Sequence, residues 1–241
     1  MANAIDIRRT DDRFHTQIPW LDSKHSFSFG PHYDPDNTHH GVLLVSNDDI
    51  IKAGTGFSTH PHRDMEIVTW VLSGEIEHKD SQGNKGIIYP GLAQRMSAGT
   101  GIWHSEMNPK ANQDVHLVQM WVAPDTERVD PGYEQLDINP QLARGGLVPI
   151  ASGKGHNAAI RIRQKDAVLW GGRLRPGEAI KLPDAAFAHV FVATGAVDLE
   201  GAGRLSAGDA VRLTRAGSPL LTADARSGAE VLVWEMASSL I

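Results

Sequence analysis

Apolar residues recur along the chain with a period of two, in runs of strand length that stop at turn residues. Residues 66–72 (EIVTWVL) are rich in β-branched and aromatic side chains and end at Ser73-Gly74. Residues 115–122 (VHLVQMWV) are closed by Ala123-Pro124, residues 188–193 (AHVFVA) by Thr194-Gly195, and residues 229–236 (AEVLVWEM) form the last such run. Side chains on a strand alternate between two faces, so each run predicts a strand. Helical periodicity is nearly absent. One short helix is predicted over 139–144, stopped by Gly145-Gly146. Many short strands within 241 residues predict an all-β fold built from sandwiches or barrels.

The pattern also repeats. In the first half, TWVLSGEIEH reaches Gly74, PGLAQRM follows from Pro90, and Ala98-Gly99 comes next. In the second half, VFVATGAVDL reaches Gly195, AGDAVRL follows from Ala207, and Ala216-Gly217 comes next. Three glycine turns keeping their order and spacing point to a duplication. The expected division is 1–137 and 138–241, with a linker near 137–154 where Gly145, Gly146, Gly153 and Gly155 cluster.

Composition then narrows the chemistry. With no cysteine, disulfide frameworks, thiolate zinc sites, iron–sulfur clusters and cysteine nucleophiles are excluded. Lys and Arg number 23 against 29 Asp and Glu, a formal net charge of -6 without a basic stripe, so direct nucleic-acid binding is not expected. No apolar run is long enough for a membrane-spanning helix. The charged N-terminal residues lack the apolar stretch of a secretory signal, and a cytoplasmic location is expected.

The strongest chemical signal is GTGFSTHPHRDME, from Gly54 to Glu66. His60 and His62, one residue apart, share a face of a strand, with Cα atoms about 6–7 Å apart. Two imidazoles at that spacing can share one ion. Pro61 points the other way and removes a ladder donor, which places the segment at an edge or a bulge. The second half of the signal is AGTGIWHSEMN, from Ala98 to Asn108, where His104 and Glu106 again share a face. Three imidazoles and a carboxylate suit a divalent first-row metal such as Fe, Mn, Ni, Cu or Zn, whereas calcium would want oxygen ligands. His39 and His40 are adjacent, point to opposite faces and read as loop.

These segments carry a resemblance. The glycine-x5-His-x-His-x3-Glu pattern at Gly54 to Glu66 is similar to the first motif of the cupin superfamily, and Gly101-x-x-His104-x3-Asn108 to the second. More narrowly, THPHRDMEIVTWVLSGEIEHKDS, MSAGTGIWHSEMNP and the upstream WLDSKHSFSFGPHYDP resemble the pirin family. The resemblance is close over residues 15–125 and extends to the second half in spacing alone. It implies a bicupin: two jelly-roll barrels in tandem, with a metal in the first. It also implies His60, His62, His104 and Glu106 as the ligands, and iron(II) as the first expectation, with Cu, Ni, Mn, Co or Zn as alternatives. Most cupins would use Glu66 as the carboxylate ligand. Pirin-like chains use the carboxylate two residues after the third histidine, which leaves Glu66 a structural or supporting role. Gln94 is a further polar candidate.

In the second repeat, Lys181 and Pro183 are expected opposite His60 and His62, and Thr222 and Asp224 opposite His104 and Glu106. No histidine is reproduced, so no equivalent ion is expected there. His189 is expected to be buried or to contact a lid.

The activity the resemblance implies is a quercetin 2,3-dioxygenase: a flavonol and O2 as substrates, the heterocycle opened and carbon monoxide released. Glu106 is the candidate general base for the flavonol hydroxyl. Phe57, Met96 and Trp103 are candidates to grip a flat ring, or else ordinary core. Two alternatives stand beside it: a non-enzymatic metal- or redox-dependent regulator acting through protein contacts, and a cupin enzyme acting on another enediol. A monomer without membrane contact is expected.

Overall fold

The computed structural model describes residues 4–157 and 160–240. The regular structure of the chain is almost entirely strand. The first half carries β1 (Ala4–Arg8), β2 (Phe14–Ile18), β3 (Leu21–His25), β4 (Leu43–Ile51), β5 (Gly56–His62), β6 (Glu66–Ser73), β7 (Ile76–Asp80), β8 (Lys85–Ile88), β9 (Leu92–Ser97), β10 (Ile102–Met107), β11 (Val115–Val122) and β12 (Gly132–Asp137). A short helix α1 (Asn139–Leu142) follows, shorter than the sequence predicts. The second half carries β13 (Val148–Ser152), β14 (Ile160–Arg161), β15 (Ala167–Leu174), β16 (Ala179–Lys181), β17 (Phe187–Leu199), β18 (Gly203–Ser206), β19 (Ala210–Thr214), β20 (Leu220–Ala223) and β21 (Ala229–Met236).

These strands fold as two tandem jelly-roll barrels, and the repeat is visible in the pairing. In the first barrel a sheet ordered β12-β9-β6-β11-β4-β3-β2 faces a sheet ordered β5-β10-β7-β8. In the second, β19-β17-β21-β15 repeats β9-β6-β11-β4. The pairing of β16 with β20, and of β18 and β20 with the far end of β17, repeats β5, β10, β7 and β8. The long β17 does in one strand what β6 and β7 do around Gly74. Both barrels receive an outer strand at the same edge: β12 pairs with β9, and the N-terminal β1 crosses to pair with β19 of the second barrel.

The alternating runs explain the core. Successive residues of β6, β17 and β21 point to opposite faces, and both faces are covered. Val68, Trp70, Phe191, Leu232 and Trp234 point outward from their barrels and form one shared core between them. Val190, Val192, Val231 and Val233 point inward and fill the second barrel. Trp70 Nε1 donates to Glu230 Oε1 at 2.7 Å across that shared face. Among the described residues, no helix is long and apolar enough to cross a membrane.

Candidate metal centre

Two strands of the first barrel, β5 and β10, carry the four candidate ligands. β5 lies at the edge of its sheet, which is where the proline between the two histidines is tolerated. On β10, His104 stands opposite His60 and Ile102 opposite His62. The register shifts between His104 and Glu106, so a bulge turns the local backbone beside the site. Gly56 makes this approach possible, because a Cβ there would collide with the Glu106 carbonyl oxygen.

One ring nitrogen each from His60, His62 and His104 lies within 4.8 Å of the others. The ring centroids are 4.4 Å apart for His60 and His104, and 4.9 Å apart for each of the pairs with His62. The protonation pattern leaves lone pairs facing inward. His60 Nδ1–H donates to the Ser58 carbonyl at 2.8 Å, so its Nε2 is free. His62 Nε2 and His104 Nε2 are buried without any hydrogen-bond partner. Burial, and then the neighbouring histidines, push His62 down to about 4 and His104 down to about 3. Both rings are therefore uncharged at neutral pH, the form that binds metals. Buried polar atoms are rarely left unpaired, and three converging imidazoles, those of His62 and His104 uncharged, fit a divalent transition metal.

Glu106 is buried on the same strand. Thr69 Oγ1 donates to its Oε1 at 3.3 Å and Gln119 Nε2 to its Oε2 at 2.6 Å. Trp121 Nε1 donates to Gln119 Oε1 at 3.0 Å, which fixes the amide so that its NH2 faces Glu106. Glu106 joins His104 and a further residue, His78, in a second group of donor atoms within 4.8 Å of one another.

These supports belong to a polar row across the inner face of the larger sheet. Gln94 pairs with Thr69, Thr69 with Gln119, Gln119 with Asn47 and Asn47 with His25. The row interrupts the apolar interior: on β6 the inward Ile67 and Val71 belong to separate apolar clusters on either side of Thr69.

His60, His62, Glu106 and Gln119 line a cavity of about 230 Å³, together with Phe29, Phe57 and Trp121. Asn47, His25, Ser23 and Asp49 form its polar wall. Ser23 Oγ donates to Asp49 Oδ1. Burial raises the Asp49 carboxyl to about 7, with Asp48 and Glu106 adding to the shift and the Ser23 bond opposing it.

Other sequence candidates fall elsewhere. Glu66 is buried facing the second barrel's Arg163, accepting from Ser97 Oγ at 2.9 Å and from Arg163 N–H at 3.1 Å. Phe57 lines the cavity, but Met96 is packed in the apolar core and Trp103 is 54% exposed on the outside. Gln94 is buried in the polar row. His189 is buried against Phe27. His39 and His40 hold the carbonyls of Leu240 and Leu213. The expected partners in the second barrel shift by the alternation of faces. With Gly195 set on Gly74, Leu199 stands where His78 does. Since Leu199 pairs with Leu221 as His78 pairs with Glu106, Leu221 takes the place of Glu106. Thr222 points off that inner face and Asp224 caps a turn, accepting from Arg226 and Ser227 N–H.

Sequence reasoning missed His78, Asp80 and Asp49. A His-x-Asp pair on one face of a strand (His78, Asp80) was the available signal for the first two. The polar stretch SNDD (residues 46–49) hid a strand lining a cavity.

Comparison with known proteins agrees with this architecture. Residues 7–122 match the family model described as Pirin, and residues 149–236 match one described as the quercetinase C-terminal cupin domain. A Mycobacterium tuberculosis protein named "Putative quercetin 2,3-dioxygenase" is 58% identical over 241 residues, covering 100% of this chain and 98% of that protein. A protein of Escherichia coli K12 named quercetin 2,3-dioxygenase is 51% identical over 131 residues, 54% of this chain and 57% of that protein. The crystal structure of a bacterial pirin from Escherichia coli in complex with nickel(II) has a TM-score of 0.89 and 36% identity, covering 98% of this chain and 100% of that one.

Proposed function

The chain belongs to the pirin family, and on that premise we propose that it is a metal-dependent oxygenase of the quercetin 2,3-dioxygenase type. Its substrates are a flavonol-like aromatic and O2, and its products the ring-opened ester and carbon monoxide. The observation that carries this reading is the trio of converging imidazole nitrogens, two of them buried without a hydrogen-bond partner, beside an aromatic-walled cavity. His60, His62, His104 and Glu106 would hold one divalent transition metal, iron(II) in first place. Bound there, such an ion supplies a Lewis acid that attracts a substrate hydroxyl as its anion and lowers its pKa.

The chain's own residues do the rest. Phe29, Phe57 and Trp121 pack against the flat ring and keep water from it. Glu106 takes the hydroxyl proton, with Thr69 and Gln119 holding the carboxylate in place. Asp49, across the cavity, faces the substrate's remaining hydroxyls. The same reading divides the chain into a metal-binding unit over 1–137 and a metal-free unit over 138–241, working as a cytoplasmic monomer without direct nucleic-acid contact.

The test is turnover. Metal-loaded protein incubated with quercetin in air should bleach the flavonol absorbance and release carbon monoxide, and His62→Ala should abolish both. A metal-loaded wild type that leaves every flavonol intact contradicts the reading. A second reading is favoured by one observation: about 230 Å³ is small for a ligand site. A smaller cyclic enediol fits that space, and O2 uptake with such compounds but not with quercetin would select it.

A further inference from the structure

His104 has two ring nitrogens, and only one faces His60 and His62. The other, Nδ1, lies 3.4 Å from Nδ1 of His78. His78 Nε2 in turn lies 3.0 Å from Asp80 Oδ2. All three side chains are buried. Neither His78 nor Asp80 lines the cavity, so neither is placed to touch a substrate.

The chemistry of the chain's end orients it. Asp80 accepts from the N–H groups of Gln82 and Asn84 at 2.9 and 3.0 Å, and from Asn84 Nδ2 at 3.2 and 3.0 Å. A carboxylate so surrounded only accepts, so His78 carries its proton on Nε2. With that proton on Nε2, Nδ1 of His78 faces His104 Nδ1 as the acceptor of its N–H. That leaves the lone pair of His104 on Nε2, the buried atom without a partner. This assignment satisfies all the contacts, and it presents His104 in the tautomer a metal needs.

The strand geometry builds this chain. His78 and Asp80 are two residues apart on β7 and share its inner face. Their strand pairs with β10, placing Asp80 opposite His104 and His78 opposite Glu106. Tyr133 stacks on the His78 ring at 4.7 Å between centroids and 28° between planes. Gly86 makes room for it, because a Cβ there would collide with the Tyr133 hydroxyl. In the second barrel the place of His78 is taken by Leu199, and among the described residues the metal-like histidine groups all lie in the first barrel.

We propose that Asp80 and His78 are positioning residues of the metal centre: a carboxylate–imidazole–imidazole chain that sets the tautomer of His104, holds its ring and strengthens it as a donor. Outer partners of this kind change metal affinity by about 10–100-fold in other sites. The inference rests on His104 as a ligand and not on the dioxygenase reading.

The test is a metal-affinity measurement that needs no turnover. Metal-free protein is titrated with cobalt(II) against a competing chelator, and the visible d–d bands of the bound ion are recorded. His78→Phe keeps a flat ring against Tyr133 and removes the acceptor. Asp80→Asn keeps an acceptor oxygen and removes the charge. His78→Phe is expected to weaken cobalt(II) binding about 10–100-fold and shift the bands, with one ion per chain at saturation. Asp80→Asn is expected to fall between it and the wild type. If His78→Phe does not fold, Asp80→Asn against the wild type decides alone. Wild-type affinity and bands in the folded variants would overturn the inference while leaving the site intact. Loss of one imidazole from the coordination sphere, counted by pulsed EPR on a copper(II) form, would also overturn it by making His78 a ligand. A wild type that binds no metal overturns this inference and the site reading together.

Discussion

Across the inner face of the first barrel's larger sheet the row runs Gln94, Thr69, Gln119; across the same row of the second barrel it runs Val211, Val190, Val233. Facing that row, the first barrel has His78 and Glu106 where the second has Leu199 and Leu221. The strand order is shared, so the topology does not create the site. What differs is which residues occupy the inward half of each alternation. The second barrel spends its interior on aliphatic packing. The first divides its apolar interior in two and places hydrogen-bonded polar groups between the parts. Such a polar interior is tolerated only where its members satisfy one another. Here the unsatisfied atoms are His62 Nε2 and His104 Nε2, at the candidate centre itself, and Gln94 Oε1 at the end of the row.

From that contrast, the first barrel's stability should depend on pH through Asp49, and the second barrel has no counterpart to it. The Asp49 carboxyl rises from 3.8 when unfolded to about 7 when folded. Folding therefore favours its protonated form. The metal-free protein should be unaffected by this group below about pH 4, lose stability as pH rises from about 4 to about 7, and level off above that. A rise of that size corresponds to as much as about 4 kcal/mol. Asp49→Asn should remove the slope, so that the variant unfolds at higher urea than the wild type at pH 8 but not at pH 4. Parallel pH profiles for the two proteins would show that the carboxyl is not held protonated by the fold.

A smaller effect follows from exchanging the rows. Val190→Thr puts a hydroxyl among Val211 and Val233, where nothing accepts it, and should cost about 1–3 kcal/mol in urea unfolding. It should leave metal binding unchanged. A neutral result would mean that the second interior is wetter than its aliphatic lining implies.

The sequence reveals these two barrels unevenly. The runs around Trp70, Val118, Phe191 and Trp234 are legible because both of their faces are apolar: one fills a barrel and the other the core between barrels. β4 is not legible, because its inward residues Asn47 and Asp49 line a cavity and read as a polar turn. The pair His60 and His62 is legible from local spacing, and so is the pair His104 and Glu106. His78 is not, since its partner His104 lies on a neighbouring strand and only the sheet register joins them. The edge position of β5 follows from Pro61. Counting residues from the glycine turns puts Thr222 opposite His104, but pairing places it on the outer face, because a shift of one residue reverses every side chain. The crossing of β1 to β19 has no local signal at all, since five residues of strand carry no mark of which barrel they will join.

The central claim is that the two barrels differ in their power to hold a cation. Titration of the metal-free protein with nickel(II), followed by calorimetry and by metal analysis after gel filtration, tests it directly. The account predicts one tightly held ion per chain, lost in His60→Ala and in His104→Ala, and retained in Leu199→Ala and Leu221→Ala. No retained ion in the wild type, or one that survives loss of either histidine, would contradict it.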